Sequence, residues 1–221
     1  MSIKKAAIDI RYLLDNGYPP KSAVGFVSDH YRLDGDSRHI LSRTIIAGSI
    51  CEKRRQKFLP CDKIRGEDII IDGYNILIGM ESILEKKAIL CDDGVIRDIK
   101  GVSRNFRTSE NTHKAIELIL SFLKEKNPSQ VFFLFDSQIS KSGVLAKLIG
   151  EKILEAGLKG NANTSRHVDY DLKCSYYIVA SSDGVIIDAA EKVVNFLFCM
   201  ICEIPYLKTK IAEAGRIQGV L

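Results

Sequence analysis

Apolar positions follow two different spacings along this chain, and the change between them falls close to residue 66. In the first part, apolar residues recur every three or four positions in three segments: Ala6–Asn16, Ser22–Tyr31 and Asp36–Ile46. Gly17 and the prolines at 19 and 20 follow the first segment and are typical of a helix end. A basic run at 52–57 and a linker at 60–66 complete this part, where no β pattern occurs. The spacing therefore predicts an all-helical module over residues 1–65.

Short continuous apolar runs replace the helical spacing beyond residue 66. Runs of the kind found in buried parallel strands occur at 68–73, 131–136 and 177–183. Segments 88–91 and 95–99 flank the tripeptide Asp92-Asp93-Gly94, which is typical of a β-hairpin. Helical spacing returns over 110–126 and 142–156, whereas the stretch 193–221 favours neither helix nor strand. Because strands alternate with helices, we predict an α/β domain over residues 66–221 with a mainly parallel central sheet.

Composition restricts the class of protein, and charge differs between the two parts. With 46% apolar and 27% charged residues among 221, the chain can bury a core, which excludes a disordered protein. No apolar run is long enough to span a membrane, and no signal-peptide pattern is present. Residues 1–65 contain 13 of the 32 lysines and arginines but only 7 of the 28 acidic residues. This part would suit a polyanion, although a solvated helical surface explains the charge equally well.

The six cysteines lack the dense spacing of a disulfide-rich secreted protein. Only Cys199 and Cys202 form a CxxC pair, which lies in an apolar run without a second pair or a nearby histidine. We therefore interpret both as buried apolar side chains rather than metal ligands. The cysteine pattern indicates a reducing compartment, and we expect a soluble, cytoplasmic protein with no membrane partner.

Each of the three predicted parallel strands ends in an aspartate: Asp72, Asp136 and Asp183. The carboxyl ends of parallel strands lie along one sheet edge, so these residues should converge on one cleft. Grouped carboxylates repel one another unless a cation neutralises them, and Mg²⁺ prefers such oxygen ligands. The arrangement would suit metal-assisted hydrolysis of a phosphodiester. Alternatively, each aspartate caps a turn or a following helix, which is a common role after a strand.

Four short motifs resemble the NYN branch of the PIN-like ribonuclease superfamily. They are IDGYNIL at 71–77, FDSQISKSG at 135–143, VDYDL at 168–172 and VASSDG at 179–184, in the order found in that family. DGYN is the most specific of them. The resemblance implies a PIN-like three-layer α/β domain with an acidic Mg²⁺ or Mn²⁺ site that cleaves RNA. It also implies that Asp72, Asp136, Asp169 and Asp183 are metal ligands and that Asn75 orients the Asp72 loop or a phosphate.

Two features of this chain depart from that family's pattern. Gly184 stands where the family has a second acidic residue. The hairpin carboxylates Asp92, Asp93 and Asp98 have no counterpart, and they are either a further ligand set or the polar flanks of a turn. Asp171 is similarly either a second ligand or a solvent-facing neighbour of the acidic motif.

Basic and hydroxyl side chains are candidate phosphate contacts in both parts of the chain. Ser140, Lys141 and Ser142 follow the Asp136 strand near a helix N-terminus, where either serine could instead be the N-cap. The first 65 residues resemble a helical module of uncharacterised archaeal and bacterial proteins, which implies no chemistry. The candidate RNA contacts of this module are Arg32, Arg38, Arg43, Arg54 and Arg55. Alternatively, the module covers the α/β domain or forms a homodimer.

These features together predict a metal-dependent ribonuclease with RNA as its partner and Mg²⁺ or Mn²⁺ as its cofactor. A second hypothesis is a catalytically silent RNA-binding or RNA-processing accessory protein with the same fold, as Gly184 suggests. A third is a phosphoesterase acting on small molecules. It ranks last because the first strand lacks the second aspartate that an aspartyl-phosphate enzyme uses.

Overall fold

The computed structural model of the protein describes residues 2–98 and 106–210. Within these ranges the strands are β1 (Phe58–Leu59), β2 (Asp68–Asp72), β3 (Ala88–Leu90), β4 (Ile96–Asp98), β5 (Gln130–Asp136), β6 (Gly160–Ser165), β7 (Ile178–Ala180) and β8 (Val193–Val194). The α-helices are α1 (Ser2–Asp15), α2 (Pro20–His30), α3 (Gly35–Thr44), α4 (Gly48–Lys57), α5 (Gly73–Leu84), α6 (Glu110–Lys126), α7 (Ser142–Glu155), α8 (Val168–Lys173), α9 (Gly184–Ala189) and α10 (Phe196–Glu203). A single 3-10 turn lies between β1 and β2.

The central sheet has six strands in the order β1-β8-β7-β2-β5-β6, and every neighbouring pair is parallel. Strand β2 is apolar on both faces because helices cover both faces of the sheet. Ile69 and Ile71 pack into a core with α5, α6, α7 and α10, whereas Ile70 packs on the opposite face with α8 and α9. The prediction of an α/β fold with a mainly parallel sheet is therefore confirmed.

Several elements differ from those that the hydrophobic pattern predicts. Strand β6 is polar because it lies at the sheet edge, where its side chains are largely exposed. Strands β1 and β8 have two residues each, too few to show a period, and β1 lies where we expected no strand. Helix α5 is apolar on nearly every side because the sheet, α6 and α10 surround it. The predicted strand at 177–183 is confined to β7, while residues 99 and 211–221 lie outside the described residues.

The first three helices pack around a core of their own. Its buried members include Ala6 and Ile10 of α1, Ala23 of α2 and Leu41 of α3. The prediction of N-terminal helices is confirmed, and a fourth helix, α4, carries the basic run that the sequence placed at 52–57. No helix in the described part of the chain combines the length and apolar character needed to span a bilayer.

A buried ion-pair network joins the β3–β4 hairpin to helix α4. Asp93 is 0% exposed and lies 2.7 Å from a guanidinium nitrogen of Arg54 and 2.7 Å from one of Arg97. Burial by itself would raise the pKa of Asp93, but the hydrogen bonds and charges of the two arginines outweigh it and hold the pKa below its usual value. Arg54 also pairs with Asp188 of α9 at 2.8 Å. Asp93 thus connects the hairpin to α4, and Arg54 connects both of them to α9.

The other two hairpin carboxylates also pair with arginines of the N-terminal helices. Asp92 lies 2.7 Å from Arg11 of α1, and Asp98 lies 3.5 Å from Arg43 of α3. The backbone carbonyl of Asp92 also accepts a hydrogen bond from Arg55. The sequence leaves a metal-ligand set and the polar flanks of a turn as alternatives for these residues; in the structure they attach the helical module to the α/β domain.

A disulfide bond between Cys61 and Cys199 contradicts the expectation of unpaired cysteines. The bond ties the 3-10 turn before β2 to α10 across 138 residues, a separation that leaves no spacing signal in the sequence. The interpretation of the CxxC pair as two buried apolar side chains is confirmed for Cys199, which lies in the core, but is wrong for Cys202, which is exposed. The cytoplasmic location stays a prediction.

The network around Asp93 generates a stability prediction. Replacing Asp93→Asn should lower the free energy of unfolding by about 3 kcal/mol, because Arg97 and Arg54, whose side chains are only 11% exposed, would lose the buried charge that they share. Urea denaturation at pH 7 would measure the change. The matched control is Asp92→Asn, whose partner Arg11 is 40% exposed, and which should cost only about 1 kcal/mol or less. Equal effects of the two substitutions would contradict the special role of Asp93.

The disulfide predicts a thiol count. The denatured, unreduced protein should show four thiols towards a thiol reagent, and six after reduction, because Cys61 and Cys199 are paired. Reduction should also lower the urea midpoint, since opening this long loop removes a stabilisation of about 2–4 kcal/mol. A count of six thiols before reduction would contradict the pairing.

Candidate active site

Three neighbouring strands carry aspartates to the same edge of the sheet. Strand β2 lies between β7 and β5, and both pairings are parallel. Asp72 is the last residue of β2, Asp136 is the last residue of β5, and Asp183 follows the end of β7 by three residues. Because the strands run in the same direction, all three residues lie at the C-terminal edge.

Asp72 is the most deeply buried of these carboxylates. Its Oδ2 accepts a hydrogen bond from Ser181 Oγ at 2.8 Å, and its Oδ1 accepts one from the Asn75 backbone N–H at 3.4 Å, so it caps α5. Burial raises the pKa of Asp72 to about 7; the Ser181 and Asn75 hydrogen bonds lower it, while the charges of Asp183 and Asp169 raise it. The charges of two carboxylates from other elements therefore act on Asp72.

Asn75 and Ser181 hold the loop after β7 against the start of α5. The Asn75 side-chain oxygen accepts a hydrogen bond from the Ser182 backbone N–H at 3.3 Å, and Ser181 Oγ accepts one from the Asp183 backbone N–H at 3.1 Å. Asn75 thus orients the loop that precedes Asp183. Ser181 was not among the site residues predicted from the sequence, although its place in the SSD motif at 181–183 was a signal for it.

Asp136 and Asp169 are less buried than Asp72. The Asp136 carboxylate accepts a hydrogen bond from the Gln138 backbone N–H at 2.8 Å. Burial, and to a smaller extent the charge of Asp136, raises the pKa of Tyr74 to about 12. Asp169 is exposed in the first turn of α8, within electrostatic range of Asp72. Asp171 instead accepts a hydrogen bond from the hydroxyl of Ser165 at the end of β6.

Two glycines allow close approaches around the acidic residues. A Cβ atom at Gly73 would lie 2.3 Å from the Phe135 ring, so a larger residue would push the ring away from the start of α5. A Cβ atom at Gly184 would lie 2.4 Å from Nη2 of Arg54. Gly184, the position that departs from the NYN pattern, therefore lies against the guanidinium of Arg54, which is paired with Asp93 and Asp188.

The carboxylates at the sheet edge suit a hard divalent cation in their chemistry. Within residues 2–98 and 106–210, no group of three or more His, Cys, Asp or Glu side chains is arranged to hold a metal ion. Mg²⁺, however, commonly takes only one or two carboxylates together with waters and substrate phosphates. Asp72, Asp183 and Asp169 supply oxygen atoms of that kind, and a cation would offset the burial and the repulsion that raise the pKa of Asp72.

The candidate phosphate contacts after β5 lie at the start of α7. Lys141 is the N-cap residue, with a left-handed φ of 62° and no side-chain cap, so the alternative of a serine N-cap is wrong. Ser142 is buried in the first turn, whereas Ser140 is exposed. Ser140 and Lys141 both line a cavity beside Tyr74.

The arginines considered as RNA contacts are mostly engaged within the protein. Arg43, Arg54 and Arg55 contact the hairpin, and Arg38 pairs with Asp29 at 2.7 Å. Arg32 is exposed just after α2, with a left-handed φ of 52°. These contacts favour the alternative in which the module covers the α/β domain.

Comparison with known proteins identifies the family but no activity. A family model described as "Domain of unknown function (DUF5616)" matches residues 61–199. The chain belongs to this family. A second model, "Protein of unknown function (DUF434)", matches residues 2–57. "Uncharacterized protein MJ0935" of Methanocaldococcus jannaschii is 38% identical over 212 residues, which cover 95% of this chain and 100% of the relative. No solved structure matches the chain.

The raised pKa of Asp72 predicts an effect of pH on stability. Because the folded state holds this proton more tightly than the unfolded state, Asp72 should make wild-type stability fall as pH rises from about 4 to 7. Asp72→Asn lacks that loss and can still cap α5. In EDTA, the variant should therefore gain about 1–3 kcal/mol relative to wild type between pH 5 and pH 8. Urea denaturation at both values measures this.

Glu191→Gln is the matched control, since it removes one exposed carboxylate after α9. It should change stability equally at the two pH values. If Asp72→Asn also changes the free energy of unfolding equally at pH 5 and pH 8, the pKa of Asp72 is not raised by folding. That result would contradict the assignment of a buried acidic site.

Proposed function

We propose that the chain is a metal-dependent ribonuclease with a PIN-like domain of the NYN type. The observation that carries the proposal is the buried carboxyl group of Asp72, whose pKa is raised to about 7 beside the charges of Asp183 and Asp169. Such a group stabilises a fold poorly but binds a hard cation well, because the cation offsets both burial and repulsion. The four ordered motifs between residues 71 and 184 support the same function.

The proposed roles follow from the positions of the side chains. Asp72 and Asp183, with Asp169 or Asp136 through water, would hold Mg²⁺ or Mn²⁺, and Asn75 and Ser181 would keep the two main carboxylates in place. Such a cation, when bound, activates a water and stabilises the negative charge on the leaving oxygen. Asp72 must lose its proton to serve as a ligand, so proton and cation compete for the same oxygen atoms.

One observation favours the second hypothesis, an RNA-binding accessory protein without activity. Where the NYN pattern has a second acidic residue, this chain has Gly184, covered by the guanidinium of Arg54. A positive charge at that point would oppose a second cation. The site would then hold at most one cation. The ribonuclease and the accessory protein differ in whether bound RNA is cleaved.

Cleavage of labelled RNA with and without metal tests the proposal. Wild-type protein should cleave single-stranded or structured RNA in Mg²⁺ or Mn²⁺, and EDTA should abolish the activity. Asp72→Asn and Asp183→Asn should each reduce the rate by at least about a hundredfold, because each removes a charged oxygen ligand. Gel analysis of 5′-labelled products would give the rates.

The exposed control Glu191→Gln should cleave at the wild-type rate. Wild-type activity in Asp72→Asn would contradict the site, and RNA binding without EDTA-sensitive cleavage would support the accessory protein instead. Turnover of p-nitrophenyl phosphate without cleavage of RNA would support a small-molecule phosphoesterase.

A further inference from the structure

A cavity of about 550 Å³ lies beside the acidic edge of the sheet. Its walls come from Tyr74 of α5, the segment 106–108 before α6, and the start of α7. Tyr74 is two residues beyond Asp72, and the charge of Asp136 contributes to its raised pKa, so the cavity adjoins the carboxylates. The volume lies within the range of small-molecule sites in proteins.

The lining divides into an apolar part and a polar part. Phe106, Leu145 and Leu148 form apolar wall, and the Phe106 ring meets Tyr74 edge to face at 5.3 Å between centroids. The polar part contains the hydroxyls of Thr108 and Ser140 and the charged groups of Arg107 and Lys141. Such a lining matches a ligand with both a planar apolar body and an anionic group.

The two cations of the cavity differ from most arginines of the N-terminal helices. Within the part of the chain that the structure describes, neither Arg107 nor Lys141 has an ion-pair partner, whereas Arg54 and Arg43 are paired with hairpin aspartates. Both side chains are also exposed. They are therefore available for an anion without the loss of an existing contact.

Tyr74 supplies an independent indication of a ligand. The residue is 4% exposed, and its hydroxyl is buried with no hydrogen-bond partner among the described residues. A buried hydroxyl without a partner costs free energy that a phenylalanine would avoid. Tyr74 is one of the residues that line the cavity, so a bound ligand is a candidate partner for this hydroxyl.

We propose that this cavity binds one nucleotide of the RNA substrate. The base lies against Phe106 and the leucines and hydrogen-bonds Tyr74, while its phosphate lies near Arg107 and Lys141. Recognition of RNA as the source of the nucleotide rests on the proposed function; binding of a nucleotide does not. The cavity would thereby set the position of the strand relative to Asp72.

Binding measured in EDTA separates this proposal from catalysis. Adenosine 5′-monophosphate, adenosine, inorganic phosphate and a five-residue oligoadenylate are titrated into full-length protein by calorimetry. The monophosphate should bind more tightly than adenosine or phosphate alone. Lys141→Gln should weaken the monophosphate about tenfold and leave adenosine unchanged, since the lysine contacts only the phosphate.

Tyr74→Phe should weaken adenosine and the monophosphate alike, about three- to tenfold, by removing one hydrogen bond. The same variant should not lower the melting temperature of the free protein, because its hydroxyl has no partner there to lose. Val144→Glu, at a rim position that is 70% exposed, should also weaken the monophosphate by repulsion.

Lys147→Gln is the matched control, because Lys147 is exposed on the same helix but does not line the cavity. No saturable binding of the monophosphate up to about 10 mM would overturn the proposal, as would equal effects of Lys141→Gln and Lys147→Gln. Tighter binding of the oligoadenylate than of the monophosphate supports RNA as the source, and the reverse supports a free nucleotide. Nucleotide binding that persists in Asp72→Asn without cleavage in wild type would refute the ribonuclease but not the cavity.

Discussion

The charge of Asp93 is the constraint on which the other parts of the structure depend. A carboxylate with no solvent exposure is costly unless positive groups surround it, and Arg54 and Arg97 provide them. Each arginine makes a second contact near the acidic edge: Arg97 donates to the Ser182 carbonyl at 3.0 Å, and Arg54 covers Gly184. One buried ion network therefore fixes the helical module, the hairpin and the loop that carries Asp183.

The sheet edge shows how one aspartate can have two roles. Asp72 and Asp183 cap helices α5 and α9, which is the ordinary reason for an aspartate after a strand. Their caps do not remove the effect of charge, because Asp72 is buried and its pKa is still raised by Asp183 and Asp169. Capping fixes where the carboxylates point, and burial makes the fixed arrangement receptive to a cation.

Some basic side chains of this protein form ion pairs within the fold, and others are exposed beside the candidate binding cavity. The basic excess of the first 65 residues suggested a surface for RNA, but Arg11, Arg43 and Arg54 neutralise carboxylates of the hairpin. Exposed cations instead flank the cavity beside Tyr74, on the α/β side of the molecule. In the proposed function, the RNA would therefore contact the cavity and the acidic edge rather than the helical module.

The sequence by itself determined the α/β class, the N-terminal helices, the hairpin and the placement of aspartates after successive parallel strands, because these depend on local periodicity and on the direction of the strands. It could not determine the polar edge strand β6, the bond between Cys61 and Cys199, or the pairing of Asp93 with Arg54, since each joins residues far apart in the chain. The meaning of Gly184 was likewise decided only in three dimensions, where the guanidinium of Arg54 occupies the space that a side chain would need. Charge counted along a sequence shows how many ions must be accommodated, but only the folded arrangement shows which of them neutralise one another.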